Sequence, residues 1–184
     1  KNNANFAGIS RTERRASNTT EPMQTYYILM IAMAAMGLLV FICLFFFKAG
    51  YGYLSAGKWG PKINNKLAWV LMEAPAFLFL LYYTLEYALK VSEPVNNNLV
   101  LYIMAGLFLL HYFQRAFIFP LLMRGRSKMP VVIMAMGMVF NTINSWFIGK
   151  WLFEVAPAGY YTAAWLTSPK FIIGLVIFFV GMGI

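Results

Sequence analysis

The run YYILMIAMAAMGLLVFICLFFF, Tyr26 to Phe47, decides the fold class. It carries no charge over about 22 residues, and at about 1.5 Å per residue such a helix crosses the roughly 30 Å hydrocarbon core of a bilayer. A secretory leader would show a shorter apolar core followed by a small-residue cleavage site, which this run does not. The composition agrees: 61% of the chain is hydrophobic and 11% charged, whereas a soluble domain carries roughly 25% charged residues. So little polar material cannot coat a water-soluble globule. The chain reads as an all-α integral membrane protein.

Four further apolar runs follow. They extend from about Leu67 to Leu89, Leu99 to Phe119, Val131 to Phe153, and Phe171 to Ile184. The last is about 14 residues long, short of the roughly 20 needed to span, which predicts a native chain that continues past Ile184. About five spans are therefore expected within residues 23–184. Residues 1–22 (KNNANFAGISRTERRASNTTEP) are polar and without apolar period. They read as a disordered tail or an added, non-native segment, with Met23 as the natural start.

The formal net charge of +9 does not point to nucleic acid, because the cations sit in short loops between apolar runs. Lys48, Lys58, Lys62 and Lys66 occupy the first loop, and Arg124, Arg126 and Lys128 the third. Loops two and four are poor in net positive charge, so loops one and three are expected on the cytoplasmic side, against anionic lipid headgroups. Cys43 is the only cysteine and reads as a small lipid- or core-facing residue. A bacterial inner membrane and an endoplasmic reticulum are both compatible with this pattern.

Ionisable groups within a span cost about 3 kcal/mol or more at the bilayer centre, so each needs a reason. Glu73 lies about two turns into the second span, one turn after Trp69 on the same face. It could pair with a lysine of the preceding loop or stand in a ligand cavity. Glu86, near the other end, needs only a solvated interface. The third span contains HYFQR, in which His111, Tyr112 and Arg115 share a broad face. Taken singly they read as packing, interfacial anchoring and snorkelling; together they suggest a site. One histidine cannot assemble a histidine-based metal centre. In the fourth span Asn141 and Asn144 share a face, for which interhelical hydrogen bonding is the default. Pattern alone gives a buried polar face of Glu73, Tyr112, Arg115 and Asn144, and does not separate an enzyme from a transporter or a scaffold.

The strings Tyr51-Gly52, KWGPKINNKLAWVLMEAPAFL (Lys58 to Leu78) and HYFQRAFIFPLLMRGR (His111 to Arg126), with GYYT at Gly159 to Thr162 and GMGI at Gly181 to Ile184, keep their order and spacing. In this the chain resembles the steroid 5α-reductase family. Ile148 stands where the family often has glutamine. The resemblance implies a seven-helix membrane enzyme that reduces the C4–C5 double bond of a 3-oxo-Δ4 steroid with NADPH. It further implies that Glu73 and Tyr112 hydrogen-bond the 3-keto oxygen, with Glu73 either protonated or orienting the tyrosine donor. Trp69 would line the steroid pocket, and Tyr51, Arg115, Arg126 and Asn144 would lie on the cofactor side. In the family, most of the nucleotide is held by residues and helices that follow GMGI. A related reductase of an enoyl-CoA or another sterol double bond is the nearest alternative. A small-molecule transporter is the alternative from another class, although the internal repeat that would accompany one is not evident.

Overall fold

The computed structural model describes residues 11–46, 59–90, 99–157 and 159–183, with only the backbone described for 11–22. The chain divides into two units, Lys1–Lys48 and Ala49–Ile184. The first contains one helix, α1 (Arg11–Phe46). Its membrane-spanning part, Met23–Phe46, is apolar on every side, as expected of a single span in lipid. The helix also reaches back through Arg11 to Pro22, where composition suggests no regular element.

The second unit is a helical bundle. Its elements are β1 (Lys62–Asn64), α2 (Asn65–Lys90), α3 (Leu99–Phe113), α4 (Phe119–Leu122), β2 (Lys128–Pro130), α5 (Val131–Lys150) and α6 (Pro169–Gly183). A π-helical turn, Gln114–Ile118, joins α3 to α4 as one span, and a second, Trp151–Val155, extends α5. Among the described residues, four helices, α1 included, are long and apolar enough to cross a membrane, and α6 is a shorter apolar helix. The architecture described is all-α but for two three-residue strands.

Those strands set the frame. β1 and β2 pair antiparallel, with Ile63 opposite Met129 and Asn64 opposite Lys128. Each is fed by a turn that needs glycine: Gly60 has φ +75° and Gly125 φ +95°, values that only glycine adopts at little cost. The WGP and RGR strings are thus the approaches to the two strands. Pairing also starts two helices. The Asn64 side-chain oxygen accepts from the backbone N–H of Lys66 at 2.9 Å and of Leu67 at 3.4 Å, capping α2. The first free N–H of α5, at Val131, donates to Pro61 O at 3.0 Å. The β1 and β2 segments of loops one and three therefore meet at one end of the bundle.

Since both strands precede a helix at the same end, α2 and α5 run parallel and make the most extensive helix contact of the unit. The approach is close. A Cβ on Gly137 would fall 2.5 Å from the Met72 side chain, and one on Gly149 2.5 Å from the Tyr83 ring. Gly137, Asn141, Ser145 and Gly149 recur every fourth residue and form one stripe facing α2. Ser145 is fully buried and its hydroxyl donates to Asn141 O at 2.9 Å, so it leaves no bare polar group on the stripe. At the strand end, Ala68, Met129 and Met134 form a small core against Ile63, Trp69 and Met72. The opposite face of α2, with Leu71, Leu78, Tyr82, Leu85 and Leu89, is exposed and suited to lipid.

Two predictions follow from this packing. Ile63→Cys with Met129→Cys, in a Cys43→Ser background, should form a disulfide on mild oxidation, because paired strand residues hold Cα atoms about 4.5–5.5 Å apart. A mobility shift on a non-reducing gel checks it, and its absence would place the two loops apart. Gly149→Ala should cost about 1–3 kcal/mol by overpacking against Tyr83, read as a lower Tm in detergent. Gly106→Ala, where a Cβ meets nothing within 4 Å, should hold Tm or raise it slightly.

Candidate functional site

The site grows from Glu73. Its side chain is 3% exposed in the middle of the α2–α5 contact, and a carboxylate cannot stay there without partners. Both oxygens are engaged. Arg115 Nε donates to Glu73 Oε1 at 2.9 Å, and Asn141 Nδ2 donates to Oε2 at 3.1 Å. The same Asn141 nitrogen donates to Met72 O at 2.8 Å. Pro75 lies within α2, where a proline has no N–H and crowds the carbonyl four residues earlier. The Met72 carbonyl, with two lone pairs, accepts this side-chain donor from α5 one turn before that proline.

Proline acts a second time on the other side of the site. Pro120 cannot donate to Ala116 O and its ring crowds that carbonyl, so the α ladder cannot continue unchanged. The chain widens into the π turn over Gln114–Ile118, closed by the Phe119 N–H bonding to Gln114 O. Such a turn holds one residue more than an α turn and re-aims the side chains around it. Arg115 sits in it and points inward to Glu73. Its guanidinium carbon also lies 5.1 Å from the Trp69 ring centroid, a stacking worth about 1–2 kcal/mol when partly desolvated. Trp69 in turn meets Phe119 edge-on at 5.1 Å.

Tyr112 completes the cluster. Its hydroxyl donates to Asn141 Oδ1 at 3.3 Å, a long bond. Asn144, half-buried, approaches the same hydroxyl. Trp69, Glu73, Tyr112, Arg115 and Asn144 thus come together from three spans, and Asn141 joins them at the centre. Glu73 meets Arg115 and not a loop lysine, and Arg115 turns inward where snorkelling would turn it out. Among the described residues no buried side-chain nitrogen or oxygen lacks a hydrogen-bond partner, and no group of three or more His, Cys, Asp or Glu gathers to hold a metal ion.

The remaining sequence candidates lie elsewhere. Tyr51 falls outside the described residues. Arg126 is exposed on the loop before β2, beyond the end of the third span. His111 packs edge-on against Tyr112 at 5.2 Å and, tilted, against Phe178 of α6 at 6.0 Å, a packing position. Glu86 pairs with Lys90 one turn on, as an interfacial carboxylate can. Sequence reasoning gave Asn141 only a generic interhelical role. The four-residue repeat with Gly137, Ser145 and Gly149 was the signal that this asparagine, and not Asn144, faces α2.

Fold and site together define a multi-pass, all-α membrane protein whose spans enclose an ion-paired polar cluster beside a single tyrosine. Residues 127–184 match the family model described as 3-oxo-5-alpha-steroid 4-dehydrogenase. The chain is 32% identical over 133 residues to 3-oxo-5-alpha-steroid 4-dehydrogenase 1 of Macaca fascicularis, covering 72% of this chain and 48% of that protein. It is 30% identical over 161 residues to steroid 5-alpha-reductase DET2 of Gossypium hirsutum, covering 85% and 59%. It is 34% identical over 123 residues to 3-oxo-5-alpha-steroid 4-dehydrogenase 2 of Homo sapiens, covering 67% and 45%. The chain spans about half the length of the curated relatives it matches. It belongs to the steroid 5α-reductase family.

The Glu73–Arg115 pair should matter to stability. Arg115→Met strands a buried carboxylate and should cost about 2–4 kcal/mol, at the lower side of buried pairs because the arginine is half-exposed. Arg115→Lys should cost less, keeping the charge and losing the stack on Trp69. Lys90→Met, which removes the exposed Glu86 pair, should not measurably change stability. Thermal midpoints of the three variants in one detergent check the order.

Proposed function

We propose that this chain carries the substrate end of a membrane reductase that saturates the C4–C5 double bond of 3-oxo-Δ4 steroids. The observation that carries the reading is the Tyr112 hydroxyl, which donates through one long bond, to Asn141, at the edge of an otherwise fully partnered polar cluster within the spans. A steroid enone is almost wholly apolar and brings a single strong acceptor. When hydride arrives at C5, electrons move through C4 to the 3-keto oxygen, and a proton then joins C4. The oxygen gains charge as this happens, so a donor aimed at it lowers the barrier. Tyr112 can be that donor, since its bond to Asn141 is long enough to be exchanged for a shorter one.

Glu73 is better suited to orienting than to donating. Its two oxygens accept from Arg115 and Asn141, which leaves a protonated, donating form without support in this arrangement. Trp69 offers a flat apolar wall on the same side of α2, already braced by Arg115 and Phe119.

NADPH, when bound, would supply the hydride. Arg115 fits such a ligand, because only its Nε is taken by Glu73 and its side chain is 42% exposed. The terminal guanidinium nitrogens therefore remain available to an anion. Arg126, exposed on its loop, has the same chemistry, and Asn144 and Tyr51 complete the set of residues that would hold the cofactor.

The full-length protein, purified in lipid nanodiscs, should oxidise NADPH in the presence of a 3-oxo-Δ4 steroid and yield the 5α-reduced product by mass spectrometry, with an enoyl-CoA inert. Tyr112→Phe should lower kcat by about 100-fold, as loss of one oxyanion donor does. Turnover of the enoyl-CoA alone, or full activity of Tyr112→Phe, contradicts the assignment.

A further inference from the structure

We propose that Asn141 is the positioning residue of this site: it fixes the direction of the Tyr112 hydroxyl and transmits the influence of Glu73 to it. The proposal rests on the reading above, in which Tyr112 polarises a keto oxygen.

The two ends of the Asn141 carboxamide are not interchangeable here. One faces Glu73 Oε2 at 3.1 Å and Met72 O at 2.8 Å, both acceptors only. An amide oxygen at that end would oppose a carboxylate and a carbonyl, so the nitrogen must occupy it. The oxygen is thereby turned to Tyr112, whose hydroxyl proton points at it at 3.3 Å. Asn141 is 6% exposed, and its neighbours along the stripe, Gly137 and Ser145, let α5 approach α2 closely enough to seat it. The side chain has little room to choose another rotamer.

No hydrogen bond joins Glu73 to Tyr112 directly. The path from one to the other runs through the Asn141 amide, and Arg115 holds its far end through Glu73. In the resting site Asn141 Oδ1 occupies the acceptor position beside the Tyr112 proton. An arriving keto oxygen takes over that proton, and the amide stays in place, held by Glu73 and Met72. Glu73 accordingly contributes to rate without touching the substrate. Its effect should vanish when Asn141 can no longer carry it.

A double-mutant cycle decides this. Wild type, Glu73→Gln, Asn141→Leu and the double variant are compared for kcat and KM with a 3-oxo-Δ4 steroid, and for steroid affinity without NADPH by quenching of tryptophan fluorescence. Each single change should lower kcat by about tenfold, with a smaller effect on KM. The double variant should fall no further than the weaker single, within about twofold. Losses that multiply in an active protein overturn the proposal and place Glu73 on the substrate itself. Wild-type kcat in a folded Asn141→Leu overturns it too. Should that variant not fold, Asn141→Ala, which removes both ends of the amide without adding bulk, runs in the same cycle with the same criteria. A wild type that neither reduces nor binds the steroid instead overturns the functional reading beneath it.

Discussion

A carboxylate buried between two membrane helices is the constraint from which the rest of this site follows. Glu73 is 3% exposed, and in a medium of low dielectric an unpartnered charge there would cost several kcal/mol. Its requirements are specific: one cation, one further donor, and no competing acceptor. Arg115 supplies the first from the third span and Asn141 the second from the fourth. Three helices are thereby tied at one level, in a setting where apolar side chains hold helices together no better than lipid does. The small-residue stripe of α5 and the β1–β2 pairing then fix how closely, and in which register, α2 and α5 meet at that level.

The two partners reach Glu73 by different means. Asn141 comes from the small-residue stripe of α5 and has a second anchor on the Met72 carbonyl. Pro120 forces the π turn that carries Arg115 inward. A regular helix would not offer that turn. It is tolerated in a membrane because Ala116, whose carbonyl loses its donor to Pro120, is fully buried in protein.

Much of this was legible in the amino-acid sequence. Hydropathy placed the spans of the second unit close to their observed limits, Asn65–Lys90, Leu99–Leu122 and Val131–Val155, because lipid demands a long uncharged run whatever the packing. Spacing grouped Trp69 with Glu73, and Tyr112 with Arg115, because residues three and four apart share a helix face. What spacing could not supply was the partner of each face. Glu73 could have met a loop lysine, and Arg115 could have reached the headgroups; only the way α2, α3 and α5 meet decides that they meet each other. Asn141 and Asn144 differ by less than one turn, so choosing between them required knowing which stripe α5 presents. The strands were invisible, being three residues long, too short for any alternation to register. Their trace in the sequence was instead the glycine of each preceding turn.

The completeness of the cluster bears on what it can bind. Every buried polar side-chain atom among the described residues has a partner, so a ligand rich in polar groups would have to break several good bonds to enter. The bonds to Glu73 are charge-assisted and lie deep, and exchanging them would be costly. The Tyr112–Asn141 bond is the longest of the set and joins neutral groups, so it is the one a ligand can replace at least expense. An apolar molecule with a single carbonyl asks for nothing more than that replacement. On the proposed reading, that replaceable bond beside a locked ion pair is what the 3-keto end of a steroid would meet.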